Sequence, residues 1–374
     1  MFDFSNITLI KNNDNTLIIK KAKKELSDVN DKFVKFIKKN NISKVNLTSV
    51  GNSLATGYSM NDSIKPLLLR NEDLINKADF DLNLRAYARA QDNNDEHIFE
   101  WFLKNIKQSD INKRVQLDFI SEKGMPHDNI YRSDVIKYYP TNIENDIGLH
   151  DIMMQNEEGL ANIIVYNGVT GSFLDNVTRH GLHKGLYGFK RDLVSLESSL
   201  KLIYLRNPYT QVYVCGIPDF RPKEVITAIS KTIIKVNVNN KIKKICKNYP
   251  NCVYVDPAKQ NLLYRKNDSL VVDVHYSDDE YLNLNRNILE AIIHNYIPVK
   301  AMVEFDLIMK NYSNKAEYGD RSDITEMMNG VFSKYSLSSD KLKEMIKYFK
   351  ERYPYDFYYT PRTDVINDIK SRNK

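Results

Sequence analysis

Long apolar runs are missing from this sequence, cysteine is scarce, and neither sign of charge dominates. No stretch of the 374 residues approaches the roughly 20 consecutive apolar residues that a helix needs to cross a bilayer. The apolar patch at Leu17 to Ile19 is too short, and too soon followed by lysines, to be the core of a secretory signal. These absences predict a cytoplasmic protein without a membrane span. The three cysteines, Cys215, Cys246 and Cys252, are odd in number and lack C-x-x-C spacing, which argues against a disulfide framework or a thiolate metal site. Cys215 lies inside an apolar run, so all three are expected as buried thiols. Lys+Arg 54 against Asp+Glu 48 leaves a net charge of +6, a mild excess spread over helices with acidic neighbours. Such an excess supports non-specific phosphate contact at most, and no nucleic-acid partner is expected. No internal repeat or low-complexity tract is present.

What is present is periodicity. Hydrophobic content of 42% and charged content of 27% are ordinary for a globular chain, so patterning must specify the fold. Ala22, Leu26, Val29, Phe33, Phe36 and Ile37 recur at three- and four-residue steps, which predicts an amphipathic helix over about 20–39. Short β-favouring runs follow at Val45 to Val50, Phe80 to Leu84, Ala161 to Tyr166, Gln211 to Gly216 and Cys252 to Asp256. Helical patterns alternate with them at 64–76, 97–107, 189–203, 225–247 and 284–296. Five strands alternating with helices predict an α/β fold, a three-layer α/β/α sandwich on a five-stranded parallel sheet, whose ligand crevice lies at the carboxyl ends of the strands.

The organisation expected is a helical lead-in over 1–44, an α/β domain over 45–299 and a helical extension over 300–374. Residues 113–158 begin with the alternating Val115, Leu117 and Phe119 and continue as a polar Gly/Pro/Asp/Asn/Tyr-rich region. They read as an insertion over the edge or mouth of the sheet.

Chemistry-bearing residues cluster where strands should end. Val50-Gly51-Asn52-Ser53-Leu54-Ala55-Thr56-Gly57 closes the first strand, and Ser53 read alone is an ordinary helix N-cap. A serine on such a turn also projects its hydroxyl into the crevice, beside helical N–H groups that can hold an oxyanion. Asn83-Leu-Arg-Ala-Tyr-Ala88 closes the second strand, and Tyr166-Asn167-Gly168-Val169-Thr170-Gly171 the third; both also read as ordinary turn residues. Asp273-Val274-His275 follows the last strand and leads into the helix at 284–296.

In order and spacing these blocks resemble those of the SGNH (GDSL-like) hydrolases, over about Val45 to Tyr296. Gly51-Asn-Ser53-Leu stands where that family has Gly-Asp-Ser-Leu. Gly168-Val169-Thr170 resembles its Gly-x-Asn block, with Asn167 one residue before the glycine. Asp273-x-His275 replaces its Asp-x-x-His, and Asn207-Pro208 followed by Gly216-Ile-Pro218 is similar to its fourth-strand pattern. The resemblance implies a flavodoxin-like sheet and a serine esterase without metal or cofactor. Ser53 would be the nucleophile, His275 its base and Asp273 the orienting acid, with Ala88, Asn167 and Thr170 around the oxyanion. The implied substrate is a short acyl ester, foremost an O-acetyl group on a carbohydrate. The altered aspartate spacing keeps a non-catalytic carbohydrate-binding relative open, and an acyltransferase using the same serine remains a further alternative.

Three other constellations carry less. His180-x-x-His183 has metal-ligand spacing, but Gly181 and Gly185 oppose a helix there and no third ligand is evident. Gly181 to Arg191 lacks the Gly-Lys-Ser/Thr ending of a P-loop. The tyrosines from Tyr353 to Tyr359 could stack on sugars, although packing of terminal helices explains them as well.

Overall fold

The computed structural model describes residues 11–51, 67–89, 115–122, 159–167, single positions between 190 and 210, 211–218, 238–257 except 250, 263–266, 269–272, 276–308 except 299 and 306, 322–337, and positions 343, 345, 367 and 371. At 11–16, 85–89, 115–122, 263–266, 269–272 and 322–325 it describes the backbone alone.

The predicted first helix is α1 (Lys11–Lys39). Its apolar stripe is the one that the three- and four-residue spacing sets out: Ala22, Leu26, Val29, Phe33 and Ile37 are all buried, with Phe36 packed against the same core. The chain then enters β1 (Lys44–Gly51). A 3-10 turn (Leu67–Arg70) and α2 (Glu72–Lys77) lead into β2 (Asp81–Arg89). The helical pattern predicted over 64–76 is therefore broken in two. Asn71 stands at the break, and its side chain accepts from the Leu74 N–H at 3.3 Å, the N-cap role that draws asparagine out of helix interiors.

β3 (Val115–Glu122), β4 (Leu160–Asn167), β5 (Gln211–Cys215) and β6 (Cys252–Val255) complete one six-stranded sheet in the order β3-β2-β1-β4-β5-β6. Every pairing in it is parallel. The five predicted strands are present, and the sheet has a sixth. The alternating run at Val115 to Phe119, expected within an insertion, joins the edge of β2 as β3, because eight extended residues complete a ladder that an edge strand would otherwise leave open.

Between Val255 and the next helix the chain makes a feature that its periodicity does not predict. β7 (Leu263–Lys266) and β8 (Ser269–Val272) form a separate antiparallel pair outside the main sheet. α3 (Asn240–Cys246) precedes β6, and α4 (Asp278–Asn295) follows the hairpin. Of the long helix predicted over 225–247, the residues before 238 lie outside the described ones, as does the pattern at 97–107.

Helices cover both faces of the sheet. On one, Val45, Leu47, Leu82, Leu84, Ala161, Ile163, Val165, Tyr213, Cys215, Val253 and Val255 share a single core with α1, α2 and α4. The predicted stripe Leu193, Leu196, Leu200 and Ile203 is buried, as are Val238, Ile242 and Ile245. All three cysteines are free and buried, as expected. A second apolar cluster gathers Ile297, Ala301, Met302, Phe305, Met328, Val331 and Phe332, centred on Phe305 and Phe332 with ring centroids 4.7 Å apart; it includes α5 (Ser322–Tyr335). Among the described residues no helix is long and apolar enough to cross a membrane.

Phe33 is 0% exposed and lies 6.4 Å from the rings of both Phe36 and Phe80, so it ties α1 to the approach to β2. Phe33→Ala should lower the unfolding free energy by about 3–5 kcal/mol. A urea titration followed by tryptophan fluorescence or circular dichroism measures this, and a loss below about 1 kcal/mol would contradict the packing described.

Candidate active site at the carboxyl ends of the strands

The strand order places a topological switch point between β1 and β4. The chain builds outward from β1 through β2 to β3, then returns to the other side of β1 and builds through β4 to β6. In open parallel sheets the connections diverge at such a point, and a ligand crevice is expected beyond the carboxyl ends of the two strands. Gly51 is the last residue of β1, and the parallel register sets it opposite Ala88 of β2 on one side and Asn167 of β4 on the other. Two of the three residues expected around an oxyanion thus flank the strand end from which Ser53 is two residues removed.

Asn167 is the notable member of this row. It is 0% exposed, and among the described residues neither its Oδ1 nor its Nδ2 has a hydrogen-bond partner. Leaving a buried polar atom unpaired costs about 1–3 kcal/mol, so an amide with both ends unpaired is expensive unless something else completes it. Ala88 differs. It is paired on both sides, with Gly51 and with Ser121, so its backbone N–H lies in the plane of the ladder and is not directed toward the crevice. The amide of Asn167 is the available donor of this row.

Other polar groups near the same end were not foreseen. Ser49, two residues before Gly51 and so on the same face, has a buried hydroxyl without a hydrogen-bond partner among the described residues, as does Thr48 on the opposite face. A serine within a β-favouring run gives no sign of this in the sequence. Tyr276, the residue after His275, is 0% exposed, and its hydroxyl has no hydrogen-bond partner among the described residues. Its ring meets Tyr281 edge-on at 5.3 Å. Burial pushes the Tyr276 hydroxyl well above the usual phenol range, and the Cys215 thiol is near enough to add to the effect. Since Cys215 ends β5, the chain just after His275 is anchored at the carboxyl end of the sheet.

The rim beyond β5 is also fixed. Asn239 brackets Ile217, accepting from its N–H at 2.9 Å and donating to its carbonyl at 2.8 Å. Gly216 passes so close to Tyr254 that a Cβ there would lie 2.1 Å from the tyrosine hydroxyl. Substitution at Gly216 therefore requires Tyr254 to move.

Ser53, Thr170, Asp273 and His275 lie outside the described residues, as do His180, His183, the glycine-rich 181–191 segment and the tyrosines from Tyr353 to Tyr359. Among the described residues, no cluster of three His, Cys, Asp or Glu side chains could hold a metal ion. Compared with known proteins, the chain matches no protein-family description and no curated protein sequence.

Two outcomes follow from this end of the sheet. Burial pushes the Cys215 thiol up to about 12, so it should be inert at neutral pH. The native protein should leave a thiol-specific chromogenic reagent unreacted, while the denatured chain should titrate three thiols. Asn167→Leu replaces an unpaired buried amide with an apolar group of similar size. It should leave the thermal midpoint unchanged or raise it, within about 1–3 kcal/mol; a drop larger than this would show that the amide has partners in solution.

Proposed function

We propose that the chain is a serine esterase of the SGNH type, cleaving short acyl esters, foremost O-acetyl groups carried on carbohydrate. The observation that carries the reading is the row Ala88–Gly51–Asn167 at the switch point, with an unpartnered buried amide beside the strand end that leads to Ser53. With β3 counted as an added edge strand, the other five run in the 2-1-3-4-5 order of flavodoxin-like sheets, the order expected for this type of hydrolase.

In this reading the Ser53 hydroxyl attacks the ester carbonyl while His275 takes its proton. The tetrahedral oxyanion is held by the Ser53 N–H and by the Asn167 amide, whose Nδ2 has no competing acceptor among the described residues. His275 then returns the proton to the departing alcohol, and a water repeats the sequence on the acyl-enzyme. Asp273 is two residues before His275, which in extended backbone puts both side chains on one side and suits it to orient the imidazole. Thr170, three residues beyond Asn167, is the alternative side-chain donor to the oxyanion. An oxyanion donor that is buried and already fixed loses little ordering entropy when the charge develops, which is why an amide left unpaired in the resting state suits the role.

The full six-strand order is also that of dinucleotide-binding sheets. The turn after β1 argues against that use. Gly51 to Gly57 holds two glycines six residues apart and not the three-glycine fingerprint, and β2 ends on Arg89 where a ribose-binding acid would stand.

Purified protein should hydrolyse p-nitrophenyl acetate and be labelled by a fluorophosphonate probe. Ser53→Ala should abolish labelling and lower kcat/KM at least about a thousandfold, and Asn167→Leu should retain labelling while losing roughly a hundredfold in kcat. Wild-type protein inert toward both reagents would overturn the proposal.

A further inference from the structure

A groove of about 710 Å³ lies on the α1 side of the molecule, between α1, the Arg70–Asn76 segment and the first turn of α4. That volume is within the range of small-ligand sites. Its height on the molecule follows from helix packing. α1 and α4 run in the same direction, since Glu25 pairs with Arg286 and Phe36 meets Tyr296 just past the end of α4. Lys39 ends α1 at the amino end of β1, so Lys23, about 24 Å back along the helix at its ~1.5 Å rise, is level with the carboxyl ends of strands of eight residues. Asp278, at the groove's edge, is three residues beyond His275. The groove therefore opens at the same end of the sheet as the proposed active site.

Its walls are built and their charges already matched. The buried Leu26 and Leu282 contribute to the lining. Asn71 is 2% exposed and exchanges amide hydrogen bonds with the fully buried Asn30, at 2.7 and 2.8 Å. Arg70 is held on both sides, by an ion pair with Asp278 and by the face of the Tyr281 ring 4.4 Å away. Asp73 accepts from Asn30 at 2.9 Å and pairs with Lys77 at 3.0 Å, and Glu72 is not free either. Against these engaged groups, Lys23 and Lys24 are exposed and make no ion pair among the described residues. The charge the groove still has to offer is positive.

We propose that this groove binds the anionic part of a substrate or product, a carboxylate or phosphate borne on a sugar chain, through Lys23 and Lys24. The inference rests on the esterase reading in taking that chain for the alcohol side of the ester. In binding terms it stands independently of it, since an acetyl-free chain should occupy the same groove. Two ammonium groups facing a solvent-filled groove attract a multivalent anion at low salt and lose that attraction as salt rises. The apolar lining and the Asn71 and Asn76 amides suit the ring faces and hydroxyls of a sugar.

The test is calorimetric titration of the full chain with three unacetylated oligomers of equal length: an oligogalacturonate, a glycerol-phosphate oligomer and a neutral oligoglucoside. At least one anionic oligomer should bind and the neutral one should not, and the anion that binds better identifies the source of the charge. The double variant K23E/K24E should weaken that binding roughly tenfold or more, the size expected from two lost charge contacts that become repulsive. K32E, an exposed lysine of the same helix outside the groove, should bind as wild type does. Wild-type protein and K32E should turn over p-nitrophenyl acetate alike, because Lys32 lies outside the groove and that substrate has no anionic chain to bind. The proposal is overturned if no anionic oligomer binds, if the neutral oligomer binds equally, or if K32E weakens binding as much as K23E/K24E. Binding that persists in a protein inert toward p-nitrophenyl acetate would sink the esterase reading and leave the groove standing.

Discussion

The pairing of β1 along its whole length, to β2 on one edge and β4 on the other, is the constraint from which the rest of the arrangement follows. A strand paired on both edges and covered on both faces must be buried throughout, and from Val45 to Val50 every side chain is. Because α1 delivers the chain to β1 through the four residues 40–43, the helix is committed to the face that Val45 and Leu47 present. Because the chain then builds to one side before returning to the other, the single place where neighbouring connections part is the end of that same strand. The candidate active site is located by topology before any of its side chains is considered.

Polar groups inside this sheet are satisfied only in part. Toward the amino ends the amide nitrogens have partners: Asn83 donates to its register partner Asn46 at 2.8 Å, Asn162 donates to Thr210 at 3.1 Å, and Asn251 donates to the Thr210 carbonyl at 2.9 Å. Gln211 reaches 2.6 Å to the Ile297 carbonyl and so fastens β5 to the segment after α4. Among the described residues the Asn251 Oδ1 is nevertheless buried without a hydrogen-bond partner, as are the Ser49 and Tyr276 hydroxyls toward the carboxyl ends. Asn167 differs from these in degree, because both polar atoms of its amide are left unpaired and the cost of burial falls on the whole group.

Much of this was legible in the residues. The stripe from Ala22 to Ile37 carries a period that only a helix satisfies, the short apolar runs at β4 and β5 are of strand length and rich in β-branched residues, and the structure follows them. What escaped had a physical cause in each instance. β3 alternates as an edge strand does, and its surroundings are rich in loop residues, so nothing local distinguishes a strand that joins the sheet from one that lies over it. The β7–β8 pair is four residues on each side of Asn267-Asp268, too short for periodicity to declare. Asn71 breaks a helical pattern through a bond to its own following turn, which depends on geometry that spacing does not encode. At the site, Asn167 was visible as the polar residue closing an apolar run. Ser49 and Tyr276 were not, because an unpaired hydroxyl is a property of the finished packing, and the side chains of Ser53, Asp273 and His275 stand on the resemblance of their blocks alone.

The crevice and the groove are linked through the first turn of α4. Its three acidic residues, Asp278, Asp279 and Glu280, stand where the helix dipole favours negative charge. Glu280 accepts from the Ser277 N–H at 2.8 Å, Asp279 accepts from the Ser277 hydroxyl at 2.7 Å, and Asp278 holds Arg70. Tyr281 then lies between the Arg70 guanidinium on one side and Tyr276 on the other, with Tyr276 seated near Cys215. A chain segment clamped by charge at 278, by ring packing at 276 and 281 and by hydrogen bonds at 277 has little freedom left from Tyr276 onward. The same Arg70 that stiffens this turn forms part of the groove wall. An anion at Lys23 and Lys24 would therefore sit beside a framework that is already charge-balanced, so its binding need not break the contacts that hold the first turn of α4 in place.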